Sequence, residues 1–293
     1  MKAPDPNLEA LIKNWDNVRG HFAVFLGAGA SKDAMNVDGR PVPDAYELRN
    51  DLWTEFKFND PGKPFDPADL KLMSLEHAAA IIEARTKRKA LRDYLVKLFN
   101  CDKPLWPHLA LPHLGAQTLF TTNYDELVEL AYASRRPLLQ VICNNQTPLP
   151  ERTALYKPHG SLGLANQQIG SGGLVITQFD YFDMIIDYRA MLQNSLTGLG
   201  QKCVLIIGYS FGDMEIGAEL YSIRKKNRYI PWYAVFPRDD PQVRNMYSTR
   251  LGIEQIDRTF EECLAEIDAR VGFLPAEVKF SRKADMQRAG IIQ

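Results

Sequence analysis

The chain has 293 residues, enough for one large or two modest domains, and its 45% hydrophobic and 24% charged content is that of an ordinary globular protein. A formal net charge of -1, with no long block of one sign, gives no reason to expect direct nucleic-acid binding. The four cysteines, Cys101, Cys143, Cys203 and Cys263, form no Cys-x-x-Cys pair, which removes zinc-ribbon and redox motifs, and no stretch approaches the roughly 18 apolar residues of a membrane span.

The opening MKAPDPNLEALIKNW does not read as a signal peptide, so a cytoplasmic protein without membrane attachment is expected. Leu8, Leu11, Ile12, Trp15 and Val18 recur at helical spacing and predict an amphipathic helix over 7–18. The stretch Phe22 to Ser31, FAVFLGAGAS, is an apolar run that passes at once into small residues. It predicts a strand buried on both faces, then a sharp turn at Gly27, Ala28 and Gly29 whose amides favour a phosphate. The third glycine of a dinucleotide fingerprint would fall at Lys32, and a tight turn without a ligand reads the same way.

Asp44 followed by Glu47 resembles a capped helix start, residues 59–67 read as a loop, and Pro67 to Phe99 reads as helices. Leu70, Leu72, Met73, Leu75, Ile81, Ile82, Leu91, Tyr94, Leu95 and Leu98 carry their apolar spacing. No strand signal appears between about 44 and 115, which predicts a helical sub-domain inserted in an α/β core.

Residues 117–120 predict a strand running into Thr121-Thr122-Asn123-Tyr124-Asp125, with Asp125 capping the helix that follows. Further strands are expected at 138–143, around Tyr156, and at 174–176, then an aromatic-rich helix over 178–196 with Phe179, Tyr181, Phe182 and Tyr188 as core. Residues 203–207 are a second fully buried strand, ending in Gly208-Tyr209-Ser210-Phe211-Gly212-Asp213. A helix at 214–225, strands at 231–236 and 252–256 and a helix at 259–271 complete the core. The basic, apolar-poor segment from Pro275 reads as a mobile or partner-facing tail.

Strand–helix alternation predicts a Rossmann-like doubly wound parallel sheet in an α/β domain over 1–273, with the helical insertion at about 44–115 and a tail at 274–293. Ligands of such sheets bind beyond the carboxyl ends of the strands. Five stretches fall there: Gly27 to Ser31, Thr121 to Asp125, His159 to Ser161, Gly208 to Asp213, and Pro237 to Asp239. Their convergence predicts one composite nucleotide site. His159 could take a proton near neutral pH, or be a loop histidine bonded to a carbonyl. Asn123 could orient water or a ribose hydroxyl, and Asn123 and Asp125 could equally serve as strand-to-helix caps. Asp213 could touch a ribose or cap the helix at 214. His21, His77, His108 and His113 show no ligand spacing.

The ordered set GAGAS, TTNYD, KPHGS and GYSFGD resembles the sirtuin-like family over roughly residues 20–270, and is closer to its bacterial antiviral-defence NAD hydrolases than to its protein deacetylases. The resemblance implies NAD as substrate, no metal, Gly27, Ala28, Gly29 and Ser31 at the diphosphate, and Thr122 and Asn123 near the nicotinamide ribose. It implies Asp125 holding that loop, His159 as catalytic base, and Gly208 and Ser210 at the adenosine half. Three departures count against a deacylase. No cysteines are spaced for its zinc, Thr122 stands where deacetylases carry glutamine, and Pro43-Asp44-Ala45-Tyr46 replaces their Pro-Asp-Phe-Arg segment. The expected activity is therefore cleavage of NAD+ to nicotinamide and ADP-ribose. Self-assembly, or a separate sensor such as a short Argonaute or a helicase-like ATPase, is implied as the trigger. A deacylase, an ADP-ribosyltransferase and a non-catalytic NAD- or ADP-ribose-sensing module remain the alternatives.

Overall fold

The computed structural model describes residues 3–56, 73–133, 135, 138–164, 173–187, 189–237 and 240–288. The expected loop at 59–67, Leu70, Leu72, Tyr188, Arg238 and Asp239 lie outside the described residues. Seven strands form one parallel sheet: β1 (Phe22–Leu26), β2 (Thr118–Thr121), β3 (Leu138–Ile142), β4 (Arg152–Tyr156), β5 (Cys203–Ile207), β6 (Trp232–Val235) and β7 (Ile253–Ile256). Their order is β3-β4-β2-β1-β5-β6-β7, every pairing being parallel. The chain winds outward from β1 through β2 on one side and from β5 on the other, so the topological switch lies between β1 and β5. The expected α/β fold is the one found.

The two apolar runs occupy the two central strands because each face of the sheet is covered. Phe22, Val24 and Leu26 of β1 and Cys203, Leu205 and Ile207 of β5 enter one core. There they meet α1 (Pro6–Lys13), α2 (Trp15–Val18), α6 (Trp106–Ala110), α7 (Leu127–Tyr132) and α12 (Phe260–Val271). Ala23 and Phe25, with Val204 and Ile206, enter the opposite core beneath α8 (Gln178–Asp187), α9 (Arg189–Leu199) and α10 (Met214–Lys226). Period-two alternation with both faces apolar is what makes a parallel strand a continuous hydrophobic run.

Between β1 and β2 lie the helices α3 (Ala45–Glu55), α4 (Leu75–Arg85), α5 (Arg88–Phe99) and α6. Leu52, Ile82, Leu91 and Leu95 form a third core, joined by Tyr124 and Leu127 from the β2 side. The expected Asp44 start is a full capping box. Asp44 accepts from the Tyr46 and Glu47 amides at 2.9 Å, and Glu47 accepts from the Asp44 amide at 2.9 Å. Asp44→Ala is expected to cost about 1 kcal/mol in a urea titration, the usual value of an N-cap side chain.

Several expectations are corrected. The helix over 7–18 breaks at Asn14, whose amide closes α1. The expected strand at 174–176 is a single antiparallel bridge between Gly160 and Leu174. The helix expected over 178–196 is found as α8 and α9, with Tyr188 between them outside the described residues. Residues 276–288, read as a mobile tail, form α13 (Ala276–Arg288). Its Val278 is 1% exposed and accepts a hydrogen bond from the Trp106 indole, while Lys279 pairs with Asp268 and Arg282 with Glu261. A few apolar residues suffice here because α6 and α12 supply the rest of the core.

His108 is buried in α6, edge-on to Phe260, and its Nδ1 has no hydrogen-bond partner among the described residues. Burial pushes its pKa down to about 3. The unfolded chain binds this proton below about pH 6.5, whereas the folded chain does not until about 3. The stability linked to this group is therefore complete above pH 6.5 and lost as pH falls toward 3. His108→Leu is expected to remove that acid-side loss. Relative to the wild type, the variant should gain about 2 kcal/mol between pH 7 and pH 5 in denaturant titrations.

Candidate active site

The turns after β1 and β5 meet backbone to backbone at the switch point. The Gly27 amide donates to Ile207 O at 2.9 Å and the Gly29 amide to Gly208 O at 2.9 Å. A Cβ on Gly27 would lie 2.6 Å from Gly208 O, and one on Gly29 would lie 2.8 Å from Gly208 Cα. The small residues serve the contact of two loops as well as any ligand. The Ala30 and Ser31 amides are also spent, donating to Gly27 O and Ala28 O. Ala28 and Gly29 alone in this turn are exposed, so they form its rim toward solvent.

The loop after β2 is wired to that turn. Asn123 Nδ2 donates to Gly27 O and to Ser31 Oγ, each at 3.0 Å, and Ser31 Oγ donates to Asp125 Oδ2 at 2.8 Å. The donor side of the Asn123 amide is thus committed to protein, which leaves its carbonyl oxygen as the ligand-facing group. Asp125 is not the formal N-cap of α7, a position taken by Glu126, yet its Oδ1 accepts from the Leu127 amide at 3.2 Å. It both ends the turn and anchors Ser31. The Thr122 amide extends the sheet ladder to Leu26 O at 3.3 Å.

His159, 6% exposed, lies in the loop after β4. Its Nε2 is 3.1 Å from Asp213 Oδ2 in the loop after β5, although the two are not aligned as a full hydrogen bond. The Tyr181 ring of α8 meets the imidazole edge-on at 5.1 Å. Burial pushes the Asp213 carboxyl up, but the facing imidazole and the Ile216 amide outweigh burial and hold it below the usual carboxylate range. Asp213 therefore caps α10, accepting from Ile216 N at 3.0 Å, and carries a negative charge beside His159. Burial and the neighbouring Asp213 charge raise the Glu215 carboxyl. Phe211 in the same loop has φ 57°, in the left-handed region that a bulky residue seldom occupies.

The sequence-expected residues thus form two groups, Gly27–Ser31 hydrogen-bonded with Asn123 and Asp125, and His159 in contact with Asp213. Ser210 is exposed at the rim and joins neither. Lys157 and Tyr181 were missed. Lys157 stands at the end of an apolar strand, where a charge without a near neighbour of opposite sign was a readable signal. Tyr181 gave none, since an aromatic on a helix reads as core. Among the described residues no group of three or more His, Cys, Asp or Glu side chains is placed to hold a metal ion, and no helix is long and apolar enough to cross a membrane.

A doubly wound sheet with glycine turns at its switch point and a polar constellation around them is the architecture of a nucleotide-binding α/β protein. Residues 117–256 match the family model of the SIR2-like domain. It is 26% identical to the NAD(+) hydrolase ThsA of Acinetobacter baumannii (strain 532279) over 224 residues, 74% of this chain and 42% of that protein. It is 28% identical to the NAD(+) hydrolase ThsA of Enterococcus faecium, over 74% of this chain and 43% of that one. Identity to Defense-associated sirtuin 2 of Bacillus subtilis is 26% over 56% of this chain and 17% of that protein. The chain spans less than half the length of each of these relatives. Among solved structures, a Sir2 enzyme aligns with TM-score 0.52 at 15% identity, covering 96% of this chain and all of that one. A Sir2 homologue mutant in complex with ADP-ribose aligns with TM-score 0.53 at 17% identity, covering 90% of this chain and 96% of that one. What these structures share with the chain is the fold.

Proposed function

We propose that this protein hydrolyses NAD+ to nicotinamide and ADP-ribose. The observation that carries the reading is the placement of the Asn123–Ser31–Asp125 chain and the His159–Asp213 pair at the carboxyl ends of β1, β2, β4 and β5. Similarity to NAD(+) hydrolases over 74% of the chain supports it. In this reading residues 1–273 are the catalytic domain, with the helical layer at about 44–115 as an insertion.

The diphosphate lies on the Ala28–Gly29 rim, the adenosine half toward Gly208 and Ser210, and the nicotinamide ribose toward Thr122 and Asn123. The C1′–N bond breaks with its electron pair going to the pyridinium nitrogen, so neutral nicotinamide leaves and positive charge develops on the ribose, as in glycoside hydrolysis. Water oxygen bonds to C1′. His159 takes the water proton, and the Asp213 carboxylate stabilises the imidazolium that forms. The Asn123 carbonyl oxygen orients the water or a ribose hydroxyl. The biological role in this reading is depletion of cytoplasmic NAD+ on phage infection, as an abortive response. Self-assembly or a separate sensor protein, such as a short Argonaute or a helicase-like ATPase, switches it on.

The test is nicotinamide release by the purified protein at several protein concentrations, followed by chromatography, with ADP-ribose binding measured by calorimetry. Equimolar nicotinamide and ADP-ribose are expected. Binding of ADP-ribose without release at any concentration, or with any co-purifying protein added back, would reassign the chain to a nucleotide-sensing module. Release only with an acyl-peptide would reassign it to a deacylase.

A further inference from the structure

Lys157 is fully buried, at 0% exposure, two residues before His159. Its ammonium donates to Asp125 O at 2.6 Å, to Tyr124 O at 3.4 Å and to Glu129 Oε1 at 2.8 Å. Glu129 Oε1 also accepts from Ser161 Oγ at 3.2 Å, two residues beyond His159. Glu126 Oε1 accepts from the Gly163 amide at 2.9 Å. The loop that carries Asn123 and Asp125 is thus tied to the loop that carries His159 on both sides of the histidine. We propose that Lys157 is a positioning residue, which sets the distance between the Asn123 and His159 loops through the Asp125 and Tyr124 carbonyls. The proposal rests on the hydrolase reading for its consequence in turnover, but not for the contact itself.

The physical case has three parts. A charge without water persists in a fold only when it is paired and fully hydrogen-bonded. Burial lowers the Lys157 pKa, but the Glu129 and Asp125 charges outweigh it, so the ammonium stays protonated. Two of its three protons go to main-chain carbonyls of the Asn123 loop, which side-chain pairing alone would not require. An apolar pair of similar volume would fill the same space and leave those two carbonyls without a donor. Packing energy therefore does not account for a lysine here, whereas registration of one loop on the other does.

The test uses Lys157→Met with Glu129→Leu, which removes both charges and spares the fold an unpaired ion, and Lys157→Arg, which keeps the charge and changes the donor geometry. Lys157→Arg is expected to melt near the wild type and the double variant to fold with a lowered melting temperature, for its two carbonyls without a donor, and both to bind ADP-ribose within a few-fold. Nicotinamide release is expected to lose ~100-fold in kcat, with KM little changed, as displacement of a reacting group by about 1 Å would give. Amide hydrogen exchange over residues 123–127 is expected to quicken in both variants. Wild-type kcat with wild-type exchange in either folded variant would overturn the proposal. If the wild type releases no nicotinamide, turnover gives no readout of the positioning role. The exchange rates, which need no substrate, then decide the positioning role: faster exchange supports it and unchanged exchange overturns it.

Discussion

His159→Ala is expected to lower the rate of nicotinamide release by ~100-fold or more while leaving the melting temperature close to that of the wild type, the usual loss when a positioned general base is removed. Among the described residues the side chain meets Asp213 at 3.1 Å and the edge of Tyr181 at 5.1 Å. Its loop is held independently, by the Val175 amide donating to His159 O at 3.0 Å. Losing the imidazole also removes the main partner that holds the Asp213 carboxyl below its usual range. Asp213→Asn should therefore reproduce part of the defect, with a loss of ~10-fold or more, because an amide cannot stabilise an imidazolium. Steady-state rates of the two single variants and the double variant check this. If the residues act as one unit, the double variant is no slower than His159→Ala; independent roles would make the losses multiply.

Gly208→Ala is expected to be strongly destabilising and to abolish ligand binding. Gly208 has φ 62°, in the left-handed region, which costs an L-residue roughly 1–2 kcal/mol. Its Cβ would stand 2.3 Å from Ala30 N and 2.4 Å from Gly29 C. These are backbone atoms of the opposite turn, with no flexible side chain to yield. Overpacking of this kind adds about 1–3 kcal/mol. A total near 3 kcal/mol is a large share of a typical domain's stability. The same methyl would separate the β1 and β5 turns and break the Gly29 amide bond to Gly208 O. Urea denaturation should show the stability loss, and calorimetry should show loss of ADP-ribose binding. Gly198→Ala is the matched control, since its Cβ would meet nothing within 4 Å. The control is expected to be neutral or slightly stabilising.

The two central strands and their glycine turns were legible because burial on both faces writes itself as an unbroken apolar run. Asp44 with Glu47 was legible because a capping box is complete within four residues. The helix boundary at Asn14 was not, since it falls inside continuous apolar spacing. Nor was the 276–288 helix, whose stability comes from Trp106 and α12 and not from its own sparse apolar residues. For the site, sequence spacing placed Asn123, Asp125, His159 and Asp213 at strand ends, which is a local property. It left open whether Asp213 capped a helix or served the site, and the structure shows one carboxylate oxygen capping α10 and the other facing His159.

The amino-acid sequence by itself determined the parallel α/β architecture, the turns at the strand ends and the residue types that gather there. All of these follow from hydrophobic periodicity and turn chemistry within a few residues. Only the tertiary structure decided that the Gly27 and Gly29 amides are spent on β5 and the turn after it, that His159 faces Asp213, and that Lys157 bridges two loops. Those facts depend on the sheet order β3-β4-β2-β1-β5-β6-β7, which brings strand ends distant in sequence to neighbouring positions. Backbone and side-chain groups then pair across loops according to register, and register is a property of the assembled sheet.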